Sequence, residues 1–412
     1  MNVILTRRCT NNCPYCFANP ERSAIGHLDI GPDKIKGSIS IENVNKLALW
    51  LANNQPKRIN LIGGEPFLHS KLPEIIAIFR EKCPDSSLTI FTGGIVPPKV
   101  LVNLSPDDLN GILINVNEER DYPDHHIFSK VKNFIEEALV AGFRITLGFN
   151  VWRLDFDPEF MPRLAYSLGR QGFRWSLANP NLMGDNKVVA PYNFKQLSVK
   201  IVQMLQQCTD KGLTPNLDCP LPLCFFSSDD LAWIAQYHPN VVENLGSCSA
   251  PIDITPDLEA MRCFSLSALP HTSIDQHASI KDLIKWFVEN QDLKLLSRNG
   301  IFEECSKCSH FFAGRCQGGC FGWRDIEQDG EIPEPQHLYN LLQQREYAQV
   351  VETLESTSRW FLTPLMYYLG AIAAQKLNDR ERFRRFTAIG LEYTSDQNLR
   401  DKLIKLLPLS AS

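Results

Sequence analysis

Three thiols sit in one short loop, Cys9-Thr10-Asn11-Asn12-Cys13-Pro14-Tyr15-Cys16, spaced C-x3-C-x2-C. Three thiolates can hold three irons of a cubane [4Fe–4S] cluster and leave the fourth iron open. Clusters that only carry electrons usually take four cysteines. An open iron can chelate the amine and carboxylate of an amino acid, as reductive cleavage of a sulfonium requires. A zinc knuckle completed by a remote His or Cys is the competing use of such thiols. The loop follows at once on an apolar run, Val3–Thr6, and this placement favours the cluster.

A second motif lies downstream, where Ile59-Asn60-Leu61-Ile62 runs into Gly63-Gly64-Glu65-Pro66. Glycines let backbone approach a ligand closely, and Glu65 can accept hydrogen bonds from an ammonium. Alone, the tetrapeptide is a turn signal; at the end of a second strand it reads as a ligand cradle. Together with Cys9, Cys13, Cys16 and the aromatic Tyr15, it makes residues 1–334 resemble the radical S-adenosylmethionine (SAM) superfamily. The resemblance implies an α/β fold with a partial (βα)6 TIM-like barrel, and SAM with a [4Fe–4S] cluster as cofactors. It puts Tyr15 near the adenine and Gly63, Gly64, Glu65 and Pro66 at the cofactor. It also implies ribose contacts from strand-end polar residues, here Asn115, Asn117 and Asn150. Each of these, like Asn179 before Pro180, also reads as an ordinary strand-end or turn asparagine.

Further cysteines follow. Cys248 and Cys263 have fourteen residues between them, and then come Cys305-Ser306-Lys307-Cys308, Cys316 and Cys320. This resembles the SPASM extension of the superfamily, which carries auxiliary iron–sulfur clusters on the pattern C-x9–15-G-x4-C, C-x2-C-x5-C-x3-C and a final Cys. The match is partial. Leu258 stands at the glycine position, seven residues rather than five separate Cys308 from Cys316, and no cysteine follows Cys320. Thirteen cysteines less the first three leave ten. Cys83 and Cys208 fall on or beside helical runs and read as packing thiols. The other eight include Cys219 and Cys224 and make two sets of four. Two auxiliary clusters are therefore expected, with Cys219 and Cys224 supplying ligands that the common pattern takes from elsewhere. Spacing does not say which thiols share a site. One zinc with one cluster, or a cluster with an open iron, are alternatives of the same count. His125, His126 and His310 form no ligand pattern.

The elements that must position these residues alternate. Strands are expected at Val3–Thr6, Ile59–Ile62, Leu88–Thr92, Ile112–Val116, Ile145–Val151 and Phe173–Ala178. Amphipathic helices are expected at Ile41–Asn53 (with Ser40 as N-cap), Leu72–Lys82, Lys99–Leu109, His126–Ala141, Pro158–Gly169 and residues 193–212. Such alternation gives a parallel sheet with ligands at the C-terminal strand ends. Residues 213–334 show little periodicity and need metal clusters as staples. Residues 335–412 read as helices at His337–Leu354, Leu362–Lys376, Arg380–Leu391 and Asp396–Leu407, with a weak tetratricopeptide-like repeat. Three domains follow: 1–212 barrel, 213–334 irregular cluster-binding domain, 335–412 all-α helical repeat-like tail.

Hydrophobic content of 44% and charged content of 22% suit a globular protein. A net charge of −5 without a basic tract argues against nucleic acid or an anionic membrane as partner. The N-terminus leaves no room for a signal peptide, and the protein is expected in the cytoplasm.

For function, the resemblance implies a 5′-deoxyadenosyl radical that abstracts hydrogen from a substrate C–H bond, with an external electron donor such as flavodoxin or ferredoxin. Proteins with such extensions often modify peptides, so a peptide substrate is the leading expectation. The first strand begins at residue three, with no peptide-recognition domain before it. A separate peptide-recognition protein, or the C-terminal helices, would then have to serve; those helices read equally well as a stabilising cap. A small molecule such as a sugar, alcohol or amino acid is the alternative substrate. A cluster protein that only transfers electrons or serves as a scaffold explains Gly63–Pro66 badly. No general base or acid can be named from the sequence.

Overall fold

The computed structural model describes residues 1–18, 37–181, 186–297, 300–324, 335–357, 362–394 and 396–407. The alternation expected above is its frame. In chain order it runs β1 (Asn2–Thr6), α1 (Ile41–Asn54), β2 (Arg58–Gly63), α2 (Leu72–Lys82), β3 (Ser87–Thr92), β4 (Gly111–Asn115), α3 (His125–Val140), β5 (Ile145–Val151), α4 (Phe160–Ser167), β6 (Gly172–Leu177), α5 (Phe194–Asp210) and β7 (Thr214–Leu217). The seven strands are parallel neighbours in that order. Alternate residues, among them Leu61, Ile90, Ile112, Leu147 and Trp175, are wholly buried; in a parallel sheet this face takes the helices. On the other face Ile4 and Ile62 cluster with Phe91 and Cys16.

Local chemistry sets the helix starts. Ser40 caps α1, its side chain accepting from Asn43 N at 3.0 Å. Asp124 caps α3 in the same way through His126 N at 2.9 Å. The helix expected at Lys99–Leu109 is instead two 3₁₀ turns, Pro98–Leu101 and Pro106–Asp108. Pro106 lacks the N–H a continuing helix needs and biases Ser105 towards the extended backbone that it adopts (φ −98°, ψ 132°).

The cysteine-rich segment is more regular than expected. It contains α6 (Ser228–Tyr237), the short strands β8 (Asp253–Ile254), β9 (Glu259–Met261) and β10 (Thr272–Ser273), and α7 (Ile280–Phe287), capped by Ser279. Strands of two or three residues are too short to carry a sequence period. β8 pairs in parallel with β1, while β9 and β10 continue antiparallel. Asn2 Nδ2 donates to Asp253 Oδ1 at 2.6 Å across that seam. Residues 1–189 and 195–325 thus form one compact unit.

Residues 190–194 and 326–412 make up the second unit. Its helices are α8 (Pro335–Gln343), α9 (Tyr347–Ser356), α10 (Pro364–Lys376), α11 (Arg380–Tyr393) and α12 (Gln397–Leu406). Leu338, Val350, Leu354, Ala373 and Phe386 share its core. The single helix expected at His337–Leu354 is broken, because Arg345 takes a left-handed backbone (φ 66°) between α8 and α9. The domain boundary expected at 334 lies outside the described residues.

Candidate functional site

β1 and β2 stay paired from Asn2–Asn60 to Thr6–Gly63. Beyond them the two chains remain together: Gly64 N donates to Thr6 O, and Glu65 N to Arg8 O, each at 2.7 Å. Cys9 therefore begins one residue after the last of these bonds. A Cβ on Gly64 would lie 2.1 Å from Arg8 O, and one on Gly63 would lie 2.3 Å from Thr6 O. Both glycines are thus required by the chain's own backbone as it enters the cysteine loop, a demand that spacing alone did not reveal.

Glu65 is 1% exposed. Its carboxylate accepts from Thr92 Oγ1 (2.8 and 2.7 Å), Gly93 N (3.1 Å) and Phe67 N (3.2 Å). Burial outweighs these bonds and pushes its carboxyl up to about 7. All three donors are neutral, and among the described residues no cation is paired with it. A buried anionic acceptor of this kind suits a ligand ammonium, and so the donor set fits SAM.

Tyr15 is buried beside the third cysteine. Its hydroxyl donates to Asn117 Oδ1 at 2.6 Å, and its ring centroid lies 6.2 Å from that of Trp152. Asn117 N in turn donates to Tyr122 Oη at 3.0 Å. Burial raises the Tyr15 hydroxyl well above its usual range, with Asn150 hydrogen-bonded to it in opposition. Asn150 also accepts from Ser176 Oγ at 2.8 Å. Two of the three expected ribose-binding asparagines thus meet at Tyr15, whereas Asn115 packs against Gly148.

Two groups of residues beside the candidate site escaped the sequence reading. Asn181 and Asn186, both buried, lash the cysteine loop down. Asn186 Nδ2 donates to Tyr15 O (3.2 Å) and Asn179 O (2.8 Å), and Asn181 Nδ2 donates to Phe17 O and Phe264 O. As isolated polar residues in a loop they carry no pattern. The second is the ion pair of Arg174 on β6 with Asp218 after β7. The guanidinium lies over the Phe91 ring, 5.0 Å from its centroid, and Asp218 Oδ2 is 3.9 Å from Cys219 Sγ. The pair therefore spans from the Cys16 side of the sheet to the first of the later cysteines.

None of the thirteen cysteines is in a disulfide. Cys83 and Cys208 are buried packing thiols; Cys83 Sγ lies 3.6 Å from Ala48 O, and burial pushes Cys208 up to about 12. The other eight gather in the same unit as the barrel. Cys248 and Cys263 pack around Ala250, Leu266 and Phe321. Leu258, at the glycine position of the pattern, has φ 64° and so keeps the left-handed backbone that a glycine would supply. Zinc with bonds of about 2.3 Å would draw its four sulfurs to about 3.8 Å of one another. Among the described residues, the only three metal-ligating side chains mutually within 4.8 Å are Asp124, His125 and His126, and all are exposed. Their closeness follows from the Asp124 cap. The eight later thiols lie in one compact unit, and a donor set made of thiolates alone fits iron–sulfur clusters.

Residues 3–162 match the family model of the radical SAM superfamily. Among curated proteins, a GTP 3',8-cyclase of Yersinia pestis is 25% identical over 148 residues, 35% of this chain and 43% of that protein. One from Campylobacter lari is 24% identical over 216 residues, 48% and 64%. The chain spans about half the length of the curated relatives it matches. Among solved structures, anSMEcpe with bound AdoMet aligns with a TM-score of 0.56 at 14% identity over 94% of this chain and 98% of that one. Streptococcus suis SuiB bound to S-adenosylmethionine gives 0.52 at 14% identity over 78% and 72%. With Cys9, Cys13, Cys16 and Glu65 at adjoining strand ends, the chain carries a radical SAM superfamily domain, whose cofactors are S-adenosylmethionine and a [4Fe–4S] cluster.

Proposed function

We propose that this protein is a peptide-modifying radical SAM enzyme, a maturase of a ribosomally made peptide. The observation that carries the reading is the backbone joint between the Cys9–Cys16 loop and Gly64–Glu65, in one compact unit with eight further clustered thiols. When bound, the cluster and SAM supply one-electron cleavage of the sulfonium and abstraction of hydrogen from a substrate C–H bond. The chain's own residues hold and orient. Cys9, Cys13 and Cys16 would ligate the radical-site cluster. Glu65 would accept from the methionine ammonium, with Gly63, Gly64 and Pro66 shaping that end. Tyr15, Asn115, Asn117 and Asn150 would take the adenosine. Cys219, Cys224, Cys248, Cys263, Cys305, Cys308, Cys316 and Cys320 would hold auxiliary clusters. Arg174 and Asp218, between Phe91 and Cys219, would position the substrate.

The peptide assignment draws support from fold likeness to anSMEcpe, which has also been solved with AdoMet and a Kp18Cys peptide (TM-score 0.55, 13% identity, 95% of this chain and 99% of that one). A flavodoxin or ferredoxin would deliver the electron. Thirteen thiols without a disulfide suit a reducing cytoplasm, and no described helix is long and apolar enough to cross a membrane. The GTP 3',8-cyclase relatives favour a second reading, a small-molecule substrate. Reduced, iron-reconstituted enzyme is incubated with SAM and deuterated candidates. Deuterium in 5′-deoxyadenosine from a peptide supports the first reading, and deuterium from GTP or another small metabolite selects the second. No 5′-deoxyadenosine with any candidate or on reduction alone would leave only an electron-carrying scaffold.

A further inference from the structure

We propose that the pair Trp152-Arg153, which follows β5 directly, serves the nucleoside half of SAM: Arg153 locks the loops after β4 and β5 together, and the Trp152 indole it holds donates to an acceptor on the adenosine. The inference rests on the reading of this site as a SAM site and adds two residues that no motif marks.

The contacts form a closed circuit. The Tyr15 hydroxyl, in the cysteine loop, donates to Asn117 Oδ1 at 2.6 Å. Asn117 leads into Glu118 and the 3₁₀ turn Glu119–Asp121. There Arg153 Nη2 lies 2.8 Å from Glu118 Oε2, and Arg153 Nε lies 2.9 Å from Asp121 Oδ1. The guanidinium sits over the Trp152 ring, 5.7 Å from its centroid. That ring returns to Tyr15 at 6.2 Å between centroids. A planar cation facing two carboxylates is fixed in direction as well as in place, and so is the indole stacked on it.

The centre of the circuit is buried. The Arg153, Glu118 and Asp121 side chains are at most 15% exposed. Arg120 adds a second pair to Glu118 at 3.0 Å, and Glu118 Oε1 accepts from Asp157 N at 2.9 Å, beyond β5. Apolar packing would serve stability as well as these buried charges do. What the charges add is a defined geometry, at the strand ends where ligands bind in this fold.

Trp152 supplies the observation that points to a ligand. Its Nε1 is buried, and among the described residues it has no hydrogen-bond partner. A buried N–H without an acceptor is rare. Trp175 Nε1 shares that state, but Trp175 is wholly buried on the helix-facing side, where no ligand reaches. Trp152 is half-buried at a strand end beside Tyr15. Adenosine carries ring-nitrogen and ribose-oxygen acceptors, and one of them would complete the indole N–H.

The test uses full-length, iron-reconstituted protein with the cluster unreduced, so that SAM binds without being cleaved. Calorimetry reads the affinities for SAM and for L-methionine, which carries the amino-acid half alone. Arg153→Lys keeps the charge opposite Glu118 and Asp121, but a point charge cannot fork to both. Trp152→Phe keeps an aromatic ring and removes the N–H. Each should bind SAM about tenfold more weakly, the worth of one hydrogen bond, and bind L-methionine as wild type does. Iron content, thermal midpoint and the electron paramagnetic resonance (EPR) signal of the reduced radical-site cluster should stay near wild type. A general loosening of the fold would weaken both ligands and leave their affinity ratio alone. An unchanged ratio in both variants, or joint loss of both ligands with iron and midpoint, overturns the inference. A lower ratio in one variant alone overturns the role given to the other residue. A wild type that holds its radical-site cluster but binds no SAM overturns the site reading together with the inference.

Discussion

Gly64→Ala is the sharpest test of how the radical site is built. The added Cβ would stand 2.1 Å from Arg8 O, 2.6 Å from Arg8 C and 2.9 Å from Arg7 O, all backbone atoms that cannot rotate aside. Ordinary contact begins near 3.4 Å, so the two chains must part by roughly 1 Å. That breaks the Gly64 N–Thr6 O and Glu65 N–Arg8 O bonds, both 2.7 Å long. Two backbone bonds at about 1 kcal/mol each, plus groups left unpaired in a buried seam, total about 2–4 kcal/mol. Thermal unfolding should fall by on the order of 5 °C, and the displaced Cys9 should lose its place on the cluster. Gly93→Ala is the control, because its Cβ would touch only Glu65 Oε2 at 3.8 Å and Asn11 Nδ2 at 3.9 Å. It should keep both the midpoint and the radical-site EPR signal. The account of the glycines fails if Gly64→Ala retains that signal with an unchanged midpoint, or if Gly93→Ala loses as much.

Other consequences follow from the same geometry. Glu65 binds its proton up to about pH 7 in the fold but only to about 4.5 when unfolded. Its protonation therefore stabilises the fold at low pH, and that contribution, about 3 kcal/mol at most, is lost as pH rises from 4.5 to 7. Glu65→Gln should make the SAM-free protein more stable than wild type at pH 8, with the gap closing below pH 5, while weakening SAM binding; a wild-type advantage at pH 8 in denaturant titrations would contradict this. The Arg174–Asp218 side chains are 29% and 36% exposed, so the ion pair is worth about 1 kcal/mol or less. Asp218→Asn should leave the iron content and thermal midpoint near wild type but cut substrate deuterium transfer more than about tenfold; unchanged transfer removes Asp218 from the substrate space. Leu258→Gly would relieve about 1 kcal/mol of left-handed strain but empty a buried leucine site, 3% exposed, worth about 3 kcal/mol. Net destabilisation is expected, and a higher midpoint would mean that strain dominates.

The sequence by itself determined the ligand chemistry and the frame. C-x3-C-x2-C after a first strand and Gly-Gly-Glu-Pro after a second are local patterns, and β2, α2 and β5 lie within a residue or two of where apolar periodicity put them. The strength of these signals is that a strand or helix states its own period in consecutive residues. Tertiary structure alone decided what lies between distant segments. Gly63 and Gly64 face residues 6–8 rather than open space, a fact of strand register. Asn181, Asn186, Arg174 and Asp218 acquire their roles from partners far along the chain or on another strand. The two-residue β8 exists because β1 offers a free edge, not because of its own propensity. The count of eight later cysteines was plain in the sequence, but their neighbours were not. A thiol's neighbours are set by the fold that brings Gly246 and Gly319 against the Cys219–Cys224 loop, and no spacing along the chain encodes that approach.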